Sequence, residues 1–315
     1  MKTYRKILFF YVVCLLFICF GEKAGNACTT FCFHHDGRPI FGRNFDWRTG
    51  NGSVIINTRG IKKTVQSDDP TPLTWIAKYG SATFNQIGCG FPYGGINETG
   101  LVVETMMLPD TEYPPPYDAR PELGLFQWIQ YQLDNFSTID EVLDSDSHIR
   151  IKASTGAHFL VCDFSGNCAT IEFLEGRLVY HSKGTLPVRA LSNNRYSEAV
   201  HFWEKAQIPQ NDRRRSIERF IRTANMMEEY DSKTQAPIDY AFRILSRVAN
   251  PSDTQWRIVY DIVNFCVYFR TKANRKIRYF SLKSFDLSAG ASFKILDVNA
   301  EYSGNVTNRF IDYNW

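Results

Sequence analysis

Short apolar and β-branched runs occupy both ends of this chain, and helical patterns fill the stretches between them. Cys28 to Phe33 and Pro39 to Trp47 read as two strands, joined in a hairpin by His35-Asp36-Gly37-Arg38. Ser53 to Asn57, Ser81 to Ile87 and Gly100 to Met107 are further strands, and Pro92-Tyr93-Gly94-Gly95 reads as a turn-rich approach between the last two. The proline-rich stretch 109–121 excludes a helix interior or a central strand. Glu122 to Asn135 then shows helical spacing of Leu125, Trp128, Ile129 and Leu133, and Thr138 with Glu141 forms a capping box for the next helix.

The second half repeats the alternation. Ala157 to Cys162 and Cys168 to Phe173 form a hairpin around Ser165-Gly166, followed by strands at 177–181 and 189–193. Helical tracts cover 195–205, 214–228 and 235–249, with Pro237 in a first turn, where proline is tolerated. Strands return at 256–260, 265–269 and 277–280. With strands at both ends and no repeat or low-complexity linker, the expected architecture is a single α+β domain with stacked sheets.

The first 27 residues do not fit that domain. A basic start, an apolar run over 7–20 and small residues at Gly25 and Ala27 are the order of a secretory signal peptide. The run falls short of the roughly 20 residues of a membrane span. Gly25-Asn26-Ala27 lacks the branched apolar residue expected before a lipidated cysteine. The expectation is an exported protein, periplasmic or extracellular, cut by signal peptidase after Ala27 and mature over 28–315. The formal charge of +3 lies in the leader, which carries Lys2, Arg5, Lys6 and Lys23 against Glu22. The remainder is close to neutral, which argues against a nucleic-acid partner.

Six cysteines remain after Ala27, too sparse for a disulfide-dense scaffold. Cys162 and Cys168 flank a turn and either pair or stay as buried thiols. No Cys, His and acidic set has zinc spacing, and His34-His35 point to opposite faces of a strand, so neither a metal nor a cofactor is expected.

Cutting after Ala27 would make Cys28 the first residue. Its α-amine, with a pKa of about 8, could take the proton of its own thiol, about 8.5, and later pass it to a leaving amine. Nucleophile and base would then come from one residue. Arg43 and Asp46 on the second strand are the nearest charged candidates: Arg43 to favour thiolate, Asp46 to hold the ammonium. Three apart, they belong on opposite faces of a regular strand. Read alone, they are a surface ion pair, and Cys28 is a buried structural thiol.

Cys28-Thr29-Thr30-Phe31, followed by Phe41-Gly42-Arg43-Asn44-Phe45-Asp46, resembles the opening of the choloylglycine hydrolase family, N-terminal nucleophile enzymes that include bile salt hydrolases and penicillin V acylases. Asn97-Glu98-Thr99-Gly100-Leu101, Leu191-Ser192-Asn193, Ser216-Ile217-Glu218-Arg219-Phe220 and Trp256 to Phe269 resemble its later segments in order. The resemblance implies a four-layer αββα fold with stacked, mostly antiparallel sheets, and hydrolysis of a linear amide through a Cys28 thioester. It implies that Asp46 orients the amine, Arg43 flanks the thiol, Asn193 donates to the oxyanion and Arg219 supports the centre. Without it, Asn193 is a helix cap before Arg195-Tyr196, and Arg219 belongs to a solvated basic helix start. Met107 stands where bile salt hydrolases carry a second oxyanion asparagine, a role a backbone N–H can fill; this weakens a bile salt assignment.

Trp47, Tyr93, Met106, Met107 and Tyr113 are the candidate substrate-binding residues, with Trp75 and Tyr117 as further aromatic candidates and the 109–121 loop as an apolar lip. The expected partner is a small N-acyl amide of bile salt, penicillin V or N-acyl amino acid type, with a homo-oligomer, dimer or tetramer, compatible with it. An acyltransferase sharing the same acyl-enzyme, and an exported binding module with a dead site, are the alternatives.

Overall fold

The computed structural model describes residues 28–66, 71–212 and 215–314. The leader assigned to residues 1–27 lies outside them, as do Arg213 and Arg214.

Two sheets make up the body. The first runs, edge to edge, through Ala190–Leu191, Thr29–His35, Arg38–Asp46, Thr254–Asp261, Cys266–Thr271, Arg278–Ser281 and Gly304–Asn305. The second runs through Arg177–Ser182, Cys168–Leu174, Ala157–Cys162, Val102–Met107, Pro92–Asn97, Ser81–Asn85, Ser53–Asn57, Phe293–Asp297 and Ile311–Tyr313. Pairing is antiparallel throughout, except between Arg278–Ser281 and Gly304–Asn305.

Period-two alternation explains the layering. Val102, Met106, Leu160 and Cys162 join Phe41, Phe45 and Tyr260 of the first sheet in one core. Val103, Phe159, Val161 and Ile171 face the other way, onto Trp128, Ile129 and Leu133 of the helix Leu125–Asn135. On the far side of the first sheet, Phe33 packs on Tyr230 and Tyr240, at 4.5 and 6.0 Å between ring centres. Tyr240 belongs to the helix Pro237–Arg247, which with Ser216–Glu228 covers that face. The order is helices, sheet, sheet, helix: the α+β domain with stacked sheets expected from the pattern, in the αββα, mostly antiparallel form that the resemblance implies.

Thr138 and Glu141 form the capping box, and Cys162–Cys168 is a disulfide across directly paired strand positions, with S–S 2.04 Å. The Cys32 sulfur lies within 4.8 Å of both of its sulfurs. Two expectations need correction. Pro92–Asn97 is a strand, not a turn. Its glycines make room: a Cβ on Gly94 would run into the Glu104 carboxylate, and one on Gly95 into the Ala82 carbonyl. The helix expected from Glu122 starts at Leu125, because Glu122–Leu123 pairs with Arg150–Ile151 and Glu122 bonds Arg150 and Lys152. The strands at Phe293–Asp297 and Ile311–Tyr313 were not legible in the pattern.

Candidate active site

Cys28 immediately precedes the strand Thr29–His35 and is 4% exposed. The strand's alternation aims Thr30 and Cys32 at the second sheet, where Thr30 Oγ1 donates to Met106 Sδ at 3.1 Å. The Cys28 sulfur rests on the end of the next strand: the Asp46 N–H lies 3.5 Å from it, and Sγ lies 3.8 Å from the Asp46 carbonyl. Burial pushes the thiol pKa up; Arg43 is the strongest opposing influence, and Asp46 adds to the rise.

Arg43 points between the sheets. It donates to the carbonyls of Tyr93 and Thr105, both at 2.9 Å, and pairs with the fully buried Glu104 carboxylate. Tyr260 donates to the same carboxylate at 2.5 Å. Asp46 points the other way. It is fully buried, and among the described residues neither carboxylate oxygen finds a hydrogen-bond partner. Burial pushes its pKa up to about 7, with the nearby Thr254 hydroxyl and the Arg219 charge opposing.

Asn193 and Arg219 meet over the start of the chain's first strand. Arg219 donates to the Cys28 carbonyl and to Thr29 Oγ1, both at 2.6 Å, and to Asn193 Oδ1 at 2.9 Å. Asn193 Nδ2 donates to the Met107 carbonyl at 2.8 Å, leaving its second amide hydrogen uncommitted among the described residues. Asn193 does not cap the following helix, whose cap position is Arg195. The helix carrying Arg219 takes its anionic partner from Asp212, which accepts from the Ile217 and Glu218 amides at 2.9 and 2.8 Å. Glu218 turns outward to Arg215 and Arg222.

Cys28, Arg43 and Asp46 border a cavity of about 200 Å³ with a mainly apolar lining, and Asn193 and Arg219 stand outside that lining. Phe45, Trp47, Tyr93, Phe126, Met106 and Met107 line it together with Cys28. Tyr93 joins the aromatic wall, with ring centres 5.0 Å from Phe45 and 4.5 Å from Phe126. A larger cleft of about 540 Å³, near Arg222, Tyr240 and Arg247, is more polar and holds no nucleophile.

Of the expected substrate-binding residues, Trp47, Tyr93, Met106 and Met107 come to the cavity and Tyr113 does not. Its ring packs 5.5 Å from Phe173 and its hydroxyl donates to the Thr155 carbonyl at 3.1 Å, because the proline-rich loop is tied to the strand Cys168–Leu174 through the Glu112 amide. Trp75 is buried elsewhere, donating to Asp134 at 2.7 Å, and Tyr117 is 88% exposed. Sequence reasoning missed Glu104, Tyr260, Phe45 and Phe126. Glu104 carried a signal: it is a lone acid inside Val102-Val103-Glu104-Thr105-Met106, on the buried phase of the strand.

Residues 28–216 match the family model of the linear amide C-N hydrolases, choloylglycine hydrolase family. A penicillin V acylase of Pectobacterium atrosepticum is 25% identical, over 94% of this chain and 93% of its own length. The structure of penicillin V acylase from Agrobacterium tumefaciens superposes with TM-score 0.78 at 23% identity, covering 91% of this chain and 98% of that one. A variant of conjugated bile acid hydrolase from Clostridium perfringens gives 0.71 at 18%, covering 88% and 98%. The chain thus belongs to the choloylglycine hydrolase family, as a linear amide C–N hydrolase with Cys28 as its nucleophile.

Proposed function

We propose that Cys28 works with its own α-amine as base once residues 1–27 are removed, and that it accepts a compact apolar acyl group of the aryl type present in penicillin V. The observation that carries this reading is Asp46. Among the described residues the buried Asp46 carboxylate has no cation in hydrogen-bond contact, and only the Thr254 hydroxyl and more remote arginine charges favour its charged form; such a charge is costly to bury, and the α-ammonium of a first-residue Cys28 would offset that cost. The basic, apolar and small-residue order of residues 1–27 supports export and removal of that segment by signal peptidase.

In this reading the thiol sulfur bonds to the amide carbonyl carbon and its proton passes to the amine. The negative oxygen takes a hydrogen bond from the uncommitted N–H of Asn193, whose amide is held by Arg219 and the Met107 carbonyl. The C–N bond then breaks, the leaving nitrogen takes the proton from the ammonium, and a thioester remains. Water gives a proton to the same amine and attacks the thioester carbonyl carbon; the C–S bond breaks, the Cys28 sulfur takes the proton back from the ammonium, and the acid is released. Arg43 favours the thiolate by charge. The cavity of about 200 Å³, walled by Phe45, Trp47, Tyr93 and Phe126, suits a single aromatic ring better than a steroid nucleus.

The test compares the mature protein, Cys28→Ser and a form retaining Ala27 on penicillin V, glycine- and taurine-conjugated bile salts and N-acyl amino acids, with the N-terminal mass determined. Turnover of penicillin V by the mature protein alone is the expected result. Full activity of the Ala27-retaining form would overturn the free-amine mechanism, and preference for bile salts would overturn the acyl-group reading.

A further inference from the structure

Behind the oxyanion-side loop lies a buried polar pair that the reaction as described leaves unused. His158 and Glu172 sit on neighbouring strands of the second sheet, 0% and 1% exposed, with His158 Nδ1 3.1 Å from Glu172 Oε1. His158 Nε2 lies 2.7 Å from the carbonyl of Ser192, the residue before Asn193. Glu172 Oε1 also accepts the amide of Tyr196, three residues after Asn193, at 2.9 Å. One side-chain pair therefore grips the backbone on both sides of Asn193.

Resting on the role given to Asn193 above, we propose that His158 and Glu172 are positioning residues which hold the turn 192–196 so that the Asn193 amide meets the developing oxyanion. A carbonyl oxygen only accepts, so Nε2 donates to Ser192, while Nδ1 faces Glu172 Oε1. The carboxylate thereby fixes the angle of the imidazole ring, and the ring fixes Ser192 in turn. Glu172 Oε2 has no partner among the described residues, so the carboxylate serves this arrangement through one oxygen. A third restraint acts from the helix side. Ser216 Oγ accepts from the backbone N–H of Asn193 at 2.8 Å and donates to Ser192 Oγ at 3.0 Å. The turn is thus held by side chains from the second sheet and from the helix that carries Arg219. Because Asn193 is engaged in the transition state, loosening the turn lowers kcat and leaves KM nearly unchanged.

The test uses two amides of different reach. In His158→Gln the side-chain amide nitrogen falls near Nε2 and can still donate to Ser192; in His158→Asn it stops near Nδ1 and cannot. On penicillin V, with taurocholate in parallel, His158→Asn should lower kcat about 10- to 100-fold with KM within about twofold, since an ångström of misplacement can cost about a hundredfold. His158→Gln should recover most of that loss. Combined with Asn193→Ala, His158→Asn should cause no further loss, because the group it positions is gone. Equal losses with and without Asn193, a change in KM alone, or a Gln variant as impaired as the Asn variant would overturn the proposal. Should His158→Asn fail to fold by circular dichroism, Glu172→Gln in the same cycle carries the test under the same criteria. Wild-type kcat in Asn193→Ala alone would instead overturn the role of Asn193, which separates the two failures.

Discussion

Arg43 and Asp46 leave the same strand on opposite faces and both act on the Cys28 thiol. Arg43 reaches Glu104 between the sheets, while Asp46 lies on the side of Thr254 and Arg219. Their effects on the thiol have opposite signs, Arg43 lowering its pKa and Asp46 raising it. Asp46→Asn should therefore increase the thiolate fraction and yet, on the proposed free-amine mechanism, lower kcat, since the ammonium would lose its counter-charge. Iodoacetamide labelling of Cys28 against pH, followed by mass spectrometry beside turnover, checks this. Activity and labelling rising together would refute it.

Arg43→Leu should move the same labelling profile to higher pH, because the largest influence opposing burial is gone. The variant also strands Glu104 beneath the site, and breaking a buried pair from one side costs about 3–5 kcal/mol. Denaturant unfolding should register that loss, and Arg43→Leu/Glu104→Leu should recover part of it.

The form retaining Ala27 has no α-ammonium beside Asp46. Its Asp46 carboxyl, near 7 in the fold against about 4 unfolded, binds its proton more tightly when folded. This contribution to stability is full below about pH 4 and is lost as pH rises through about 7. The mature form should show a smaller loss, and Asp46→Asn should flatten the slope in the Ala27-retaining form. Unfolding midpoints between pH 4 and 8 measure it.

Gly94→Ala would push a methyl group into the Glu104 carboxylate. Glu104 is packed by Arg43 and Tyr260 and cannot swing clear. The expected cost is about 1–3 kcal/mol, with a fall in kcat because Arg43 shifts with its partner. Thermal unfolding and turnover of the purified variant test both parts.

If Asn193 plays the oxyanion role proposed for it, Asn193→Ala should cut kcat by about a hundred- to a thousandfold with KM little changed. Steady-state kinetics on penicillin V decide it. A loss expressed only in KM would make Asn193 a binding group.

The layering was legible because strand alternation is local. Val102, Val103 and Met106 announce which face each serves, and Leu125, Trp128, Ile129 and Leu133 mark one side of a helix. Cys28 was legible from its place after a leader-like segment. Pro92–Asn97 misled because two glycines read as a turn when they were making room for side chains and backbone from neighbouring strands. Tyr113 misled because a loop's direction depends on a tether, the Glu112 amide to Phe173, that leaves no trace in composition. The Glu104 and His158 partnerships join strands far apart in sequence, and single residue types in a row do not announce such pairings.

The strand bearing Asp46 is sealed on its other side by Thr254–Asp261, with Thr254 opposite Asp46 and Trp256 opposite Phe45. The nucleophile is made near the beginning of synthesis and its closing wall more than two hundred residues later. A nascent or truncated chain that ends before Thr254 carries the reactive cysteine on an open edge, with no wall behind Asp46. Closure of the strand that carries Asp46 therefore waits for the last fifth of the chain, long after the cysteine itself has been made.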